Sequence, residues 1–181
     1  PVPHLSSKLY HVSLNVWPNT GAHTEPFYIM RHRDARHILE SDIPSSSAVF
    51  YASANYVRDS ESTSLERQSA AMRATTPGFF DLTKAPFQYG QGFTSNSGTD
   101  IVIGHDLNMK LYGGIDSVGK RLEIDGGLYT IVGVLAPWEL RPLYYHATDG
   151  RAFFETDDLF VPLETAIDNN WSVHARSSST E

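Results

Sequence analysis

The sequence predicts a mixed α+β protein, and three observations carry that reading. The first sixty residues run strand, helix, strand, a split β-α-β opening. Residues 120–137, KRLEIDGGLYTIVGVLAP, alternate around a glycine turn as a β-hairpin. At 40% hydrophobic and 12% aromatic residues, the chain can fill a core of its own.

The elements follow in order. KLYHVSLNVW, Lys8 to Trp17, mixes apolar, β-branched and aromatic residues as a strand that stops at Pro18. NTGAHTEP reads as loop. In FYIMRHRDARHILES, Phe27, Met30, Ala35, Ile38 and Leu39 lie near one helical face, and Pro26 suits a helix start. DIPSSS breaks the chain, and AVFYASANYVRD returns as a second strand. SESTS is a polar hinge. LERQSAAMRATT reads as a strand that turns at Pro77-Gly78. A short helix and then irregular backbone are expected across PGFFDLTKAPFQYGQGFT, with Gly90 and Gly92.

Ile101 to Ile103 forms a strand before a helix in which Leu107, Met109 and Leu111 cluster and which Gly113 ends as a C-cap. In the hairpin, Leu122 and Ile124 alternate with Arg121, Glu123 and Asp125. Asp125-Gly126-Gly127 supplies the positive-φ turn, and Leu128 to Leu135 is the return strand. A long loop then leads to the short strand LFVP and a last short helix, LETAIDNN. The closing RSSSTE reads as a disordered end. The serine clusters are the low-complexity stretches, and no internal repeat is found.

Global properties narrow the function classes. A length of 181 residues suits one compact domain or two small lobes. The formal net charge of −7 argues against general binding to nucleic acid or anionic lipid. The absence of cysteine excludes disulfides and thiolate metal sites and fits an extracytoplasmic location. No run of eighteen apolar residues offers a membrane span, and the polar opening PVPHLSSKLYHVSL does not read as a leader peptide. Both ends read as cut from something longer.

GGIDSVGKR, residues 113–121, contains most of a phosphate-binding loop, G-x-x-x-x-G-K from Gly114. Such a loop needs a strand leading in, a helix leading out, and Ser or Thr after the lysine to hold magnesium. Here a helix leads in, a strand leads out, and Arg121 follows Lys120. Without an outgoing helix N-terminus the phosphates lose their backbone donors. The stretch reads as a helix-to-strand connection in which Gly113 and Gly114 cap the helix and Gly119 starts the hairpin.

Other constellations are weaker. His32 and His37 are five apart, roughly 500° of helical rotation, so they miss a shared face. His32 shares its face with Arg36 instead, which repels a cation. HRD at 32–34 echoes a kinase catalytic loop, but Leu39 stands where that motif needs Asn. No G-x-S-x-G elbow is present, and SGTD at 97–100 reads as loop before a strand. Glu155, Asp157 and Asp158 form a small acidic run outside any EF-hand pattern and read as a solvated loop rather than a calcium site. No catalytic, cofactor-binding or metal-ligating residue is assigned. The aromatic-rich stretch APWELRPLYYHATDGRAFF sets Trp138, Arg141, Tyr144, Tyr145, Phe153 and Phe154 in irregular chain. It is either a partner-docking surface or a satellite core over the hairpin.

An ordered set of motifs carries a family resemblance. IVIGHDLNMKLYGGIDSVGKRLEIDGGLYTIVGVLAP resembles the MacB-like periplasmic core domain of ABC transporter permeases, in which a strand and a helix ending L-[FY]-G-G precede G-K, a strand, a glycine turn and Y-T-[IV]-V-G-V. TTPGFFDLTKAPFQYGQGFT resembles the family's T-P-x-[FY]-F-x-[LM] segment, DDLFVPLETAID its returning segment, and PVPHLSSKLYHVSLNVW the stretch after the first membrane helix. The likeness spans roughly residues 5–170.

The resemblance implies a two-lobed periplasmic core: a β-α-β lobe over 1–60, an inserted α+β lobe with the hairpin over 61–160, and a return segment over 161–181. In the family the chain completes the first lobe as further strand. Here NNWSVHARSSSTE is short and polar, so the return reads as truncated, and an exposed sheet edge would invite pairing. The implied function is non-catalytic and needs no cofactor: relaying ATP-driven motion across the inner membrane, or docking a periplasmic partner for export. The implied partners are the permease's own membrane helices, a separate cytoplasmic ATPase, a periplasmic adaptor and a second permease copy, with no nucleic acid. Gly78, Gly113, Gly119, Gly126 and Gly133 are the expected structural glycines. The competing expectation is a free-standing periplasmic ligand-binding module or a small hydrolase.

Overall fold

The computed structural model of the 181-residue chain describes residues 10, 32–41, 44–138 and 157–171. The chain packs as two units, residues 1–45 with 140–154 and residues 46–139 with 155–181. In the first unit, the described element is helix α1 (His32–Leu39). Ala35 on it is buried, Ile38 and Leu39 are half-buried, and Arg36 and His37 are exposed, as an amphipathic surface helix requires. The expected strand over 8–17 lies outside the described residues except for Tyr10.

The second unit is built on one sheet. Its strands are β1 (Phe50–Asp59), β2 (Gln68–Thr75), β3 (Phe87–Gly90), β4 (Asp100–Ile103), β5 (Arg121–Ile124), β6 (Gly127–Leu135) and β7 (Leu159–Pro162). The helices are α2 (Gly78–Thr83), α3 (His105–Tyr112) and α4 (Leu163–Asp168). The strand order is β3-β6-β4-β7-β2-β1-β5, and β5 also pairs with β6. Six strands, β6-β4-β7-β2-β1-β5, therefore close into a ring. Pairings β2–β7 and β4–β6 are parallel, and the others are antiparallel.

Alternation along the strands sorts side chains to the two sides of this ring. One side gathers Val57, Met72, Ile101, Ile103, Leu122, Ile124, Ile131, Leu159 and Val161, joined by Leu107 of α3 and Leu163 of α4. Each such aliphatic chain contributes about 1.5–3 kcal/mol by leaving water. On the other side Phe79 and Phe80 of α2 meet Phe50, Phe87, Phe93 and Phe160, with ring centroids 5.1–5.9 Å apart and mostly edge-to-face. That geometry sets each ring's positive edge against a neighbour's negative face.

The hairpin of β5 and β6 forms as the alternation predicts, with Ile124 opposite Gly127 and positive φ at Asp125 and Gly126. Two expectations are corrected. Residues 87–90, expected as irregular backbone, form β3, because β6 is long enough to serve two partners along one edge. β5 and its lead-in use that edge as far as Ile131, and β3 takes over at Val132, whose carbonyl accepts the Gln91 N–H at 3.1 Å. The handover needs glycine on both strands: a Cβ on Gly90 would fall on the Val132 carbonyl oxygen, and one on Gly133 would fall on that of Gln91. The second correction concerns α3. Leu107, Met109 and Leu111 do not share a face, because residues two apart on a helix diverge. Leu107, Asn108 and Tyr112 are buried, while Met109 stays 48% exposed.

Candidate functional site

The chain leaves the second unit after Glu139 and rejoins it from Glu155. Asp157 and Asp158 form the first described seam of that return. Asp157 accepts from Arg73 through both oxygens, Nε to Oδ2 at 2.9 Å and a terminal guanidinium nitrogen to Oδ1 at 3.0 Å. Arg73 is 1% exposed and Asp157 7%. The guanidinium also lies 5.5 Å from the Phe50 ring centroid, over its face. Asp158 continues the β2–β7 ladder with both main chain and side chain. Its N–H donates to the Ala71 carbonyl at 2.8 Å, and its Oδ2 accepts the Ala71 N–H at 3.0 Å. These two residues are therefore not the solvated loop expected from the acidic run. Each carboxylate is satisfied by a donor on β2, Asp157 buried and Asp158 half-buried, and Glu155 of that run lies outside the described residues.

The second seam lies after α4. Trp171 is buried, and its carbonyl accepts the Tyr51 hydroxyl at 3.0 Å. Its ring centroid is 5.6 Å from that of Tyr129, whose hydroxyl accepts from Asn169 Nδ2 at 3.3 Å. At the start of α4, Thr165 Oγ1 accepts the Gly98 N–H and donates to the Gly98 carbonyl, and Glu164 N–H donates to Asn96 O at 2.9 Å. The segment SGTD thus serves as a strap on α4.

The third feature is the loop that resembles a phosphate-binding loop. Asn108, fully buried on α3, donates through Nδ2 to the Ile115 carbonyl at 3.0 Å and accepts the Ser117 hydroxyl at 2.7 Å. Gly113 takes left-handed φ at the helix end and donates to Met109 O. Lys120, the residue that would reach a phosphate, lies 4.7 Å from the Tyr112 ring centroid. The loop is closed on its own helix by side chains, and Lys120 is engaged with an aromatic face.

Three hydroxyls in the unit titrate above their ordinary range. Burial raises Tyr112 most, helped by the negative charge and hydrogen bond of Asp59 and by Glu61. Burial also raises Tyr51, and it raises Tyr129 against a lowering by the Asn169 hydrogen bond. All three hydroxyls thus keep their protons well above neutral pH. The cross-strand pair of Arg58 with Glu123, joined by Arg67 at 3.7 Å, is a partly exposed structural network between β1 and β5.

Of the residues proposed for docking, Trp138 is described and half-buried just beyond the end of β6, while Arg141, Tyr144, Tyr145, Phe153 and Phe154 lie outside the described residues. Among the structural glycines, a Cβ on Gly78 would meet the Ser47 carbonyl oxygen at 2.5 Å, and Gly119 and Gly126 hold positive φ with open space around them. Sequence reasoning missed Arg73, Asn108, Tyr51 and Trp171. Arg73 left one signal, a charge inside the small apolar run SAAMRATT, where a strand with two covered faces demands a buried partner. Among the described residues no group of three or more His, Asp or Glu side chains could hold a metal ion, and no helix is long and apolar enough to cross a membrane.

The chain matches the MacB-like periplasmic core domain over residues 2–181. It belongs to that family. Two solved structures share its fold. One is the extracellular domain of the noncanonic ABC-type transporter YknZ from Gram-positive bacteria, at 16% identity and a TM-score of 0.58 over 78% of this chain. The other is the periplasmic region of MacB from Actinobacillus actinomycetemcomitans, at 12% identity and a TM-score of 0.58 over 81% of this chain. The match spans 66% of the length of each. No curated protein sequence matches the chain. Family and fold make this MacB-like domain a periplasmic or extracellular domain of the ABC transporter permease type.

Proposed function

We propose that this domain is a non-catalytic relay and docking module in the periplasm, part of an inner-membrane permease. It passes ATP-driven motion from the permease's membrane helices to the periplasmic side and presents the stretch from Trp138 to Phe154 to a partner in export. The parts implied by the resemblance keep their roles in this reading. A cytoplasmic ATPase drives the permease, a second copy completes a dimer, and an adaptor docks outside. The ring-bearing unit, residues 46–139 with 155–181, acts as one body in this reading.

One observation supports the reading above the others. The chain that returns from residues 140–156 is locked onto the closed ring at once, through the buried Arg73–Asp157 pair and the parallel β2–β7 ladder. A ring with both sides of its wall packed moves as a body, so displacement applied at one seam reaches the others.

The experiment uses the full-length permease with its ATPase in lipid, made cysteine-free and then spin-labelled either at Ser62 alone, in the exposed β1–β2 loop, or at Ser62 and Gln88 together. Pulsed electron spin distances between the two copies should change when ATP is trapped. Distances within one copy, from Ser62 to Gln88 on β3, should stay fixed. An inter-copy distance that ignores ATP would sink the relay.

A further inference from the structure

Trp171 is secured through every polar group it has except one. Its N–H donates to the Ala166 carbonyl at 3.0 Å, and its carbonyl accepts from Tyr51. Among the described residues, its buried indole Nε1 has no hydrogen-bond partner. A buried donor in this state has lost its water and gained nothing in exchange. The residue before it, Asn170, holds a φ of 54°, the left-handed position past a helix end that asparagine accepts better than other side chains except glycine.

The two ends of α4 are held differently. At the start, Thr165 is tied twice to Gly98, at 2.9 and 2.8 Å, and Glu164 is tied to Asn96. Leu163 lies in the core, 3% exposed. At the far end, the stretch after α4 depends on the Tyr51 hydroxyl, the Tyr129 ring and the long Asn169–Tyr129 contact of 3.3 Å. The N–H groups of Asn169, Asn170 and Trp171 bond back to Thr165, Ile167 and Ala166, so they open together when that turn unwinds.

We propose that Trp171 is a releasable latch: residues 166–171 detach from the ring as one unit, hinged at Thr165, while the six strands stay closed. Departure exposes the apolar face of the indole and the core residue Ala166, and both oppose release. It also hydrates the indole N–H, which favours release. The few polar ties at this end place the stretch among the low-stability units of a fold whose six ring strands are paired on both edges. The existence of the latch stands on this geometry alone. Its use, uncoupling the chain beyond Trp171 from the ring under load, rests on the relay proposed above.

Native-state hydrogen exchange on the 181-residue chain in low urea tests it, read by nuclear magnetic resonance. The amides of Asn169, Asn170 and Trp171 and the Trp171 indole proton should exchange through one local opening with a weak urea dependence. The amides of Ile131 and Val134 in β6 should exchange by global unfolding. Tyr51→Phe removes the hydroxyl that holds the Trp171 carbonyl. It should speed exchange at 169–171 by roughly three- to tenfold and leave the β6 rates unchanged. Exchange of 169–171 in the same urea-sensitive step as β6, or a Tyr51→Phe effect equal at both places, would overturn the latch. A positive result here alongside an ATP-insensitive permease distance would refute the relay and leave the latch standing.

Discussion

Arg73 on β2 and Asp157 just ahead of β7 meet in a buried two-pronged ion pair, at 2.9 and 3.0 Å, between strands separated by more than eighty residues of chain. Such a pair is strongly destabilising to break from one side, since the surviving ion stays buried without its counterpart. Replacing both ions by apolar groups removes that penalty. Asp157→Asn and Arg73→Met should each lower unfolding free energy by about 3–5 kcal/mol. The double variant Arg73→Met with Asp157→Leu should recover most of the loss. Urea denaturation of the four proteins measures the coupling. Additive losses would show that the pair does not act as a unit.

The handover on β6 predicts that two glycines will differ in their response to alanine. Gly126, at the tip of the hairpin, has positive φ and open space, so Gly126→Ala carries the backbone penalty alone, about 1 kcal/mol. At Gly133, a Cβ would meet the Gln91 carbonyl oxygen and the Phe87 ring. Gly133→Ala must therefore push β3 away and should cost about 2–3 kcal/mol, within the range for overpacking. Thermal melts rank them directly.

Asn108 predicts the character of the phosphate-loop look-alike. Asn108→Leu preserves side-chain bulk but strands the Ile115 carbonyl and the Ser117 hydroxyl, each costing about 1–3 kcal/mol if it stays buried. Stability should fall accordingly, and backbone amides over 113–119 should lose protection. Adding nucleoside triphosphate with magnesium should leave the melting temperature of the parent chain unmoved. A ligand-induced rise would mean the loop binds phosphate after all.

The buried tyrosines set an alkaline limit. Tyr51, Tyr112 and Tyr129 all titrate above the ordinary tyrosine value of 10.0 in the folded chain. Between that value and their folded ones, the native state holds protons that the unfolded chain releases. Their contribution is therefore complete below pH 10.0 and is lost as pH rises through the folded values. Urea midpoints should be flat toward pH 10.0 and then decline. In Tyr112→Phe the decline should be shallower, since the most strongly raised hydroxyl is gone.

Much of the local structure was legible in the residues. The hairpin announced itself through Leu122 and Ile124 alternating with charges around Asp125-Gly126, and β4 and α3 through an apolar triplet followed by a Gly113 cap. What was not legible depends on partners far away in the chain. Nothing near Val57 says that it will lie opposite Ile124 and help close a ring, and nothing near Gln88 says that the far end of β6 has a vacant edge. The same limit hid the seams. Asp157 looks like one of several loop acids until Arg73 is set beside it, and Trp171 looks like part of a polar tail until Tyr51 and Tyr129 surround it. Among the docking residues, Trp138 is half-buried just beyond β6.

The most direct test of the central claim is a fractionation blot on native cells, using antibody raised to this 20.1 kDa chain. The account predicts a band much larger than 20.1 kDa in the inner-membrane fraction, because the domain is one part of a permease. A band near 20.1 kDa in the soluble periplasm would contradict it and leave a likeness of fold, with a free-standing binding module or small hydrolase as the reading to pursue.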